Sequence, residues 1–234
     1  MDVIDITLNE GPVVRRMQYG LQGSAVLFTY KGGHYAVFTR HQIAMLPDET
    51  PEAFKDRISY LIVLMDDGTN STSIPFHDFL FAPDFDREDA SDYVIGVVFE
   101  KMLLPYSRGQ FFPASRQPAA RFGEPAMVAG FPSHRQQMLL EKDGLRLQPV
   151  CKSGSVEARS DCGVIRYPDD GEPLDGMSGG AVFLPRLLDQ RPRFGMTIDG
   201  IIQRGGGSYV RYLGFETILN RIDGYLKGLD SECR

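Results

Sequence analysis

Ser178 stands among glycines in the stretch Leu174-Asp175-Gly176-Met177-Ser178-Gly179-Gly180-Ala181-Val182-Phe183, which runs straight into an apolar strand. A serine acting as a nucleophile needs an open approach for a carbonyl carbon and backbone N–H groups close enough to hold the oxyanion. Glycine permits both the unusual dihedrals and the close approach. Gly176 and Ser178 would donate the two N–H groups. The competing reading is a glycine-rich turn that only starts a strand, so the rest of the chain must decide.

A nucleophilic serine needs a base, usually histidine, and a carboxylate that orients the base. The histidines are His34, His41, His77 and His134, and all precede Ser178. That excludes the α/β-hydrolase order, in which the histidine comes last. A subtilisin-like order needs an aspartate before the histidine, and only Asp2 and Asp5 precede His41. The order His, Asp, Ser remains, with a histidine at the end of an early strand and an aspartate leading into another. Tyr35-Ala36-Val37-Phe38-Thr39-Arg40-His41 supplies the first, and Ser91-Asp92-Tyr93-Val94-Ile95-Gly96-Val97-Val98-Phe99 the second. Asp92 is selected from the acidic crowd of Asp84, Asp86, Glu88 and Asp89 because it directly abuts a strand, whose packing fixes its position; Asp89 is the reserve.

Thr39-Arg40-His41 resembles the Thr-Ala-Ala-His-Cys segment of trypsin-like serine proteases, and Asp92 with its strand resembles that family's Asp-Ile-Ala-Leu-Leu segment. Together with Gly176-Met177-Ser178-Gly179-Gly180, they make the chain similar to the chymotrypsin/trypsin-like superfamily over nearly its whole length. The resemblance implies an all-β fold of two six-stranded antiparallel β-barrels with a C-terminal α-helix. It implies a serine endopeptidase whose catalytic residues are His41, Asp92 and Ser178, acting on a protein or peptide substrate without cofactor or metal. Thr197-Ile198-Asp199-Gly200-Ile201-Ile202-Gln203-Arg204-Gly205 resembles the family strand whose end pairs with the substrate backbone, so Gln203, Arg204 and Gly205 become the binding edge. The family's selecting residue lies six positions before the serine, here Glu172, which implies cleavage after Lys or Arg. Two departures stand out: Met177 replaces the aspartate of the zymogen switch, and Gln42 replaces a half-cystine. Something else must then hold the oxyanion loop, a regulatory protein partner being one candidate. A catalytically silent scaffold acting as an interaction module is the alternative function.

The elements that position these residues follow from turn chemistry and periodicity. Residues 24–30 and 34–39 flank Lys31-Gly32-Gly33 and read as a hairpin that delivers His41. His34 beside the turn reads as exposed. Residues 59–65 and 74–81 read as further strands, and His77 and Asp78, adjacent on a strand, point to opposite faces. The proline-bearing segment 103–121 reads as the crossover between an N-terminal barrel, residues 1–102, and a C-terminal barrel, residues 122–234. Residues 136–150 and 155–167 alternate as three more strands. Phe215, Ile218, Leu219, Ile222, Leu226 and Leu229 recur at helical spacing, which predicts a terminal helix docked on the second barrel with an Asp223–Lys227 pair on its outer face.

Composition sets the outer limits. A chain of 234 residues with 42% hydrophobic residues can bury a substantial core without staples. The net charge of −6 and the lack of a basic run disfavour nucleic acid as a partner. The acidic beginning lacks the pattern of a signal peptide and no run is long enough to span a membrane, which makes the cytoplasm the expected location. Three cysteines, Cys151, Cys162 and Cys233, lack metal-ligand spacing, and the first two read as reduced residues on neighbouring strands, in the core or at an edge.

Overall fold

The computed structural model describes residues 3–10, 13–20, 23–43, 49–50, 52–53, 56, 63–66, 71–82, 91–103, 108–118, 120–139, 144–146, 148–158, 162–188 and 193–232. Asp84, Asp86, Glu88, Asp89 and Cys233 lie outside them. The fold is mostly β, with one closed barrel, a second sheet and one C-terminal helix. The first strands, β1 (Val3–Glu10) and β2 (Val13–Gly20), form a separate antiparallel hairpin.

The hairpin predicted around the glycines is β3 (Val26–Tyr30) and β4 (Gly33–Phe38). Lys31 at φ 48° and Gly32 at φ 82° make its two-residue turn, the left-handed pair that matches the twist of antiparallel strands. Val26, Phe28 and Tyr30 of β3 alternate inward. Next come β5 (Val63–Asp66) and β6 (Ser71–Ile74), paired with each other, then β7 (Phe76–Phe81) and β8 (Val94–Val98). Every residue of β8 is buried, as befits a strand flanked on both sides by β7 and β4. The segment expected to be a plain crossover contributes β9 (Phe112–Pro113), which pairs parallel to β3 at Phe28 and Thr29. The first sheet therefore has the order β7-β8-β4-β3-β9 and is open among the described residues.

The second half is a closed antiparallel barrel of six strands. Its members are β10 (Pro125–Gly130), β13 (Val150–Ala158), β14 (Cys162–Arg166), β15 (Ala181–Leu188), β16 (Arg193–Gly206) and β17 (Tyr209–Gly214). A side hairpin of β11 (Gln137–Leu139) and β12 (Gly144–Arg146) projects before β13, so residues 136–167 hold four strands rather than three. Closure comes from β15 pairing back onto β10, with Val128 opposite Val182. Val128, Ile165, Val182, Leu184 and Val210 are fully buried inside.

The helix α1 (Phe215–Glu232) does not dock on the barrel alone. Phe215, Ile218, Leu219 and Ile222 share one buried cluster with Phe28, Tyr35 and Val37 of the first sheet and with Ile198, Ile201 and Leu213 of the barrel. Phe28 packs its edge against Phe215 at 4.9 Å between ring centres, and burying one such ring contributes about 2–3 kcal/mol. On the outer face, Asp223 takes not Lys227 but Lys31 and Arg116, at 2.7 and 2.9 Å. His34 is half-buried rather than exposed, bonded to Glu100 at 2.8 Å and edge-on to Phe111. Cys151 and Cys162 do lie on the neighbouring strands β13 and β14, both unbridged, with Cys151 exposed rather than in the core.

Candidate active site

The antiparallel register of β4 and β8 sets Phe38 opposite Val94. Extending that register by two residues places Asp92 beside the turn that follows β4, so positions 51 apart in sequence converge. Arg40, His41 and Gln42 form a single 3₁₀ turn there, which aims the His41 backbone and ring at the same carboxylate. The His41 N–H donates to Asp92 Oδ1 at 3.0 Å, and His41 Nδ1 lies 2.5 Å from Oδ2. Asp92 is 3% exposed, and a carboxylate so buried would be costly without partners; here both oxygens are engaged. If Nδ1–H donates to the carboxylate, a neutral ring leaves Nε2 as its acceptor. The His41 side chain is 41% exposed.

Ser178 sits on a loop whose backbone is fixed residue by residue. Gly176 has φ +91° and Gly179 has φ +79°, both in the left-handed region that favours glycine. A Cβ on Gly179 would stand 2.1 Å from the Ser24 carbonyl oxygen, so the loop and the start of the first sheet approach closer than any side chain allows. Met177, between them, is fully buried among the apolar residues of the barrel core. Among the described residues, the N–H groups of Gly176 and Ser178 donate to no protein acceptor, whereas those of Met177, Gly179 and Gly180 all do. Ser178 Oγ donates to the Gln203 carbonyl oxygen at 3.0 Å, and no hydrogen bond joins it to His41. The side-chain amide of Gln42, adjacent to His41, donates to the Ser178 carbonyl oxygen.

The strand β16 carries the sequence-predicted binding edge. Its pairing with β15 ends at Ile201, opposite Ala181, and Ile202 is then bonded through its N–H and C=O to Gly180 and Gly179, each at 2.7 Å. A bulge at Gln203 interrupts the ladder to β17, and Arg204, Gly205 and Gly206 pair with β17 alone. Gln203 is buried, with Cys162 Sγ 3.5 Å from its Oε1. The other edge of residues 204–206 has no strand partner among the described residues.

Glu172 lies elsewhere in the electrostatic scheme than a bare selecting carboxylate would. Its Oε1 is ion-paired with Arg135 Nε, and His134 Nε2 is 3.3 Å away, though neither contact is a well-aligned hydrogen bond. Its side chain is 16% exposed, and the Arg135 cation that offsets its charge comes from the turn after β10. His134, expected to be exposed and outside the chemistry, is exposed and makes this pair.

Two residues that sequence reading passed over belong to the site. Ser24 and Ser133 both bond to the backbone of the Ser178 loop. For Ser24 the available signal was Gly23-Ser24-Ala25, three small residues directly before a strand; Ser133 offered none beyond its place after Gly130-Phe131-Pro132. Among the described residues, no group of three or more His, Cys, Asp and Glu is arranged to hold a metal, and no helix is long and apolar enough to cross a membrane. No protein-family model matches the chain, and no curated protein matches it either.

Proposed function

We propose that this chain is a serine endopeptidase of the trypsin-like kind, with His41 as base, Asp92 as its orienting carboxylate and Ser178 as nucleophile. The observation that carries the reading is the two-point grip of His41 on buried Asp92, because it fixes the tautomer a general base requires. The open five-stranded sheet is then the counterpart of a first barrel and the closed barrel the second, with the reaction at their junction. The loop of Gly176 and Ser178 supplies two N–H groups without protein partners, the donor pair that a tetrahedral oxyanion needs.

In the reaction, the Ser178 hydroxyl must give up its bond to the Gln203 carbonyl and donate to His41 Nε2 instead. Oγ attacks the peptide carbonyl carbon, its proton passes to His41 Nε2, and the carbonyl π pair moves onto the oxygen facing the two N–H groups. Collapse of that intermediate breaks the C–N bond, and His41 returns the proton to the leaving amine. Water, deprotonated by the same nitrogen, then cleaves the acyl ester and frees Ser178. The substrate backbone lies along Gln203, Arg204 and Gly205 as an added strand, so main-chain hydrogen bonds give affinity. The unbridged thiols fit a reducing compartment such as the cytosol.

One observation favours the second reading, a silent scaffold that binds partners: Ser178 Oγ is bonded to Gln203 and not to His41. A fluorophosphonate probe with the purified chain separates the two. Peptidase chemistry expects labelling that Ser178→Ala abolishes together with cleavage of peptide substrates. Labelling that persists in Ser178→Ala, or no labelling of the folded chain, rejects it.

A further inference from the structure

Every carbonyl of residues 175–178 is held by a donor outside itself. Asp175 O accepts from Ser133 N at 2.7 Å, Gly176 O from Ser24 Oγ at 2.9 Å, Met177 O from Gly180 N at 2.8 Å, and Ser178 O from Ser24 N at 3.1 Å and from Gln42 Nε2. In a trans peptide the N–H points opposite to the preceding C=O, so a held carbonyl aims the next N–H. There are no cis peptides among the described residues. The bonds to Asp175 O and Met177 O therefore aim the N–H groups of Gly176 and Ser178, and the bond to Gly176 O fixes the peptide between them.

Ser24 is the residue common to this scheme. It is 3% exposed and uses its hydroxyl twice, donating to Gly176 O and accepting from Phe131 N at 2.8 Å, while its own N–H takes Ser178 O. It stands at the start of the first sheet and ties the end of β10 to both ends of the Gly176–Ser178 turn. Met177 adds an apolar anchor in the barrel core. We infer that Ser24, with Met177, is the positioning device that fixes the peptide between the two N–H groups and the far end of their turn, so that the loop stands ready without an ion pair made by an activating event. Its effect on the reaction rests on the peptidase reading; the clamp itself does not.

Two readouts on the whole chain test this: hydrogen exchange across residues 174–180 and the rate of fluorophosphonate labelling. Ser24→Ala strands the Phe131 N–H and the Gly176 carbonyl, and Ser24→Cys keeps the side chain's shape at a slightly larger size but replaces a strong donor with a weak one, which serves if the alanine variant fails to fold. Expected in the folded variant are exchange in this segment faster by about tenfold or more, and labelling slowed by roughly 10- to 100-fold, below the loss of a whole oxyanion donor. Unchanged exchange overturns the clamp, whatever the labelling does. Faster exchange with unchanged labelling overturns the catalytic half. A wild-type chain that exchanges as expected but never labels sinks the peptidase reading and leaves the clamp supported.

Discussion

The side-chain amide of Gln42 donates to the carbonyl oxygen of Ser178, so the residue next to the imidazole is bonded to the residue that carries the hydroxyl. The secreted members of the resembled family have a half-cystine at this place; here a polar side chain reaches across to the second half instead. The contact sets the distance between the turn of His41 and the turn of Ser178 without any covalent link. Gln42→Ala removes this bond and the one the same nitrogen donates to the Ser24 carbonyl oxygen at 3.2 Å, and should cost about 1–2 kcal/mol in chemical unfolding. An unchanged urea midpoint would show that the two bonds contribute nothing.

Asp92→Asn separates orientation from burial. The asparagine can still accept the His41 N–H through its oxygen, but the amide it turns to Nδ1 donates. The ring must then carry its proton on Nε2, the wrong nitrogen for a base. Labelling should slow by about three to four orders of magnitude, as in other triads altered this way, while the melting temperature moves by only a few degrees. Labelling within a factor of ten of wild type, about 1.4 kcal/mol, would remove Asp92 from the chemistry.

Gly179→Ala combines two penalties, a left-handed φ of +79° and a Cβ 2.1 Å from the Ser24 carbonyl oxygen. Backbone meets backbone, so no rotamer change can relieve it. A loss of at least about 2 kcal/mol is expected from urea unfolding. A variant as stable as wild type would mean that the close approach of Ser24 to the loop is not present in solution.

Glu172 gives a test of selectivity that its sequence position alone would not. Because Arg135 already offsets the carboxylate, the wild-type chain should prefer Arg over a neutral residue only weakly at the cleaved position. Arg135→Ala should raise kcat/KM for Arg-containing peptides by about fivefold, the scale of a half-exposed ion pair, and Glu172→Ala should abolish the preference. If Glu172→Ala leaves cleavage after Arg unaltered, the carboxylate takes no part in selection.

Asp223 makes acid stability measurable. Hydrogen bonds from Lys31, then Arg116, hold its carboxyl down at about 2, below the ordinary 3.8. A folded-state value below the unfolded one means the stabilisation is complete above about pH 3.8 and fades as pH falls through about 2. Asp223→Asn should therefore be less stable than wild type at neutral pH and converge with it near pH 2. Parallel stability curves down to that pH would exclude the contribution.

Some of this was legible in the chain and some could not be. Local signals carry within a few residues, so Lys31-Gly32 announced its hairpin and Phe215, Ile218, Leu219 and Ile222 their helix face. The convergence of His41 and Asp92 could be guessed because each borders a strand, and strand pairing then fixes both. What failed depends on distant partners. Nothing near Asp223 tells that Lys31 and Arg116 will outcompete Lys227, and nothing near Phe112 tells that it will lie parallel to Phe28. The partnership of Ser24 with Gly176 spans 152 positions and rests on a single hydroxyl, too little for composition or periodicity to register. Glu172 was placed by analogy, and its neutralisation by Arg135 arises from a turn after a different strand.

The cluster that joins Phe28 and Tyr35 to Phe215 and Ile222 sets an order on biosynthesis. Strands emerging early from the ribosome must wait, with aromatic surface uncovered, until α1 has been translated. A nascent chain that ends before residue 215 lacks the α1 side of this cluster and leaves Phe28 and Tyr35 without that cover.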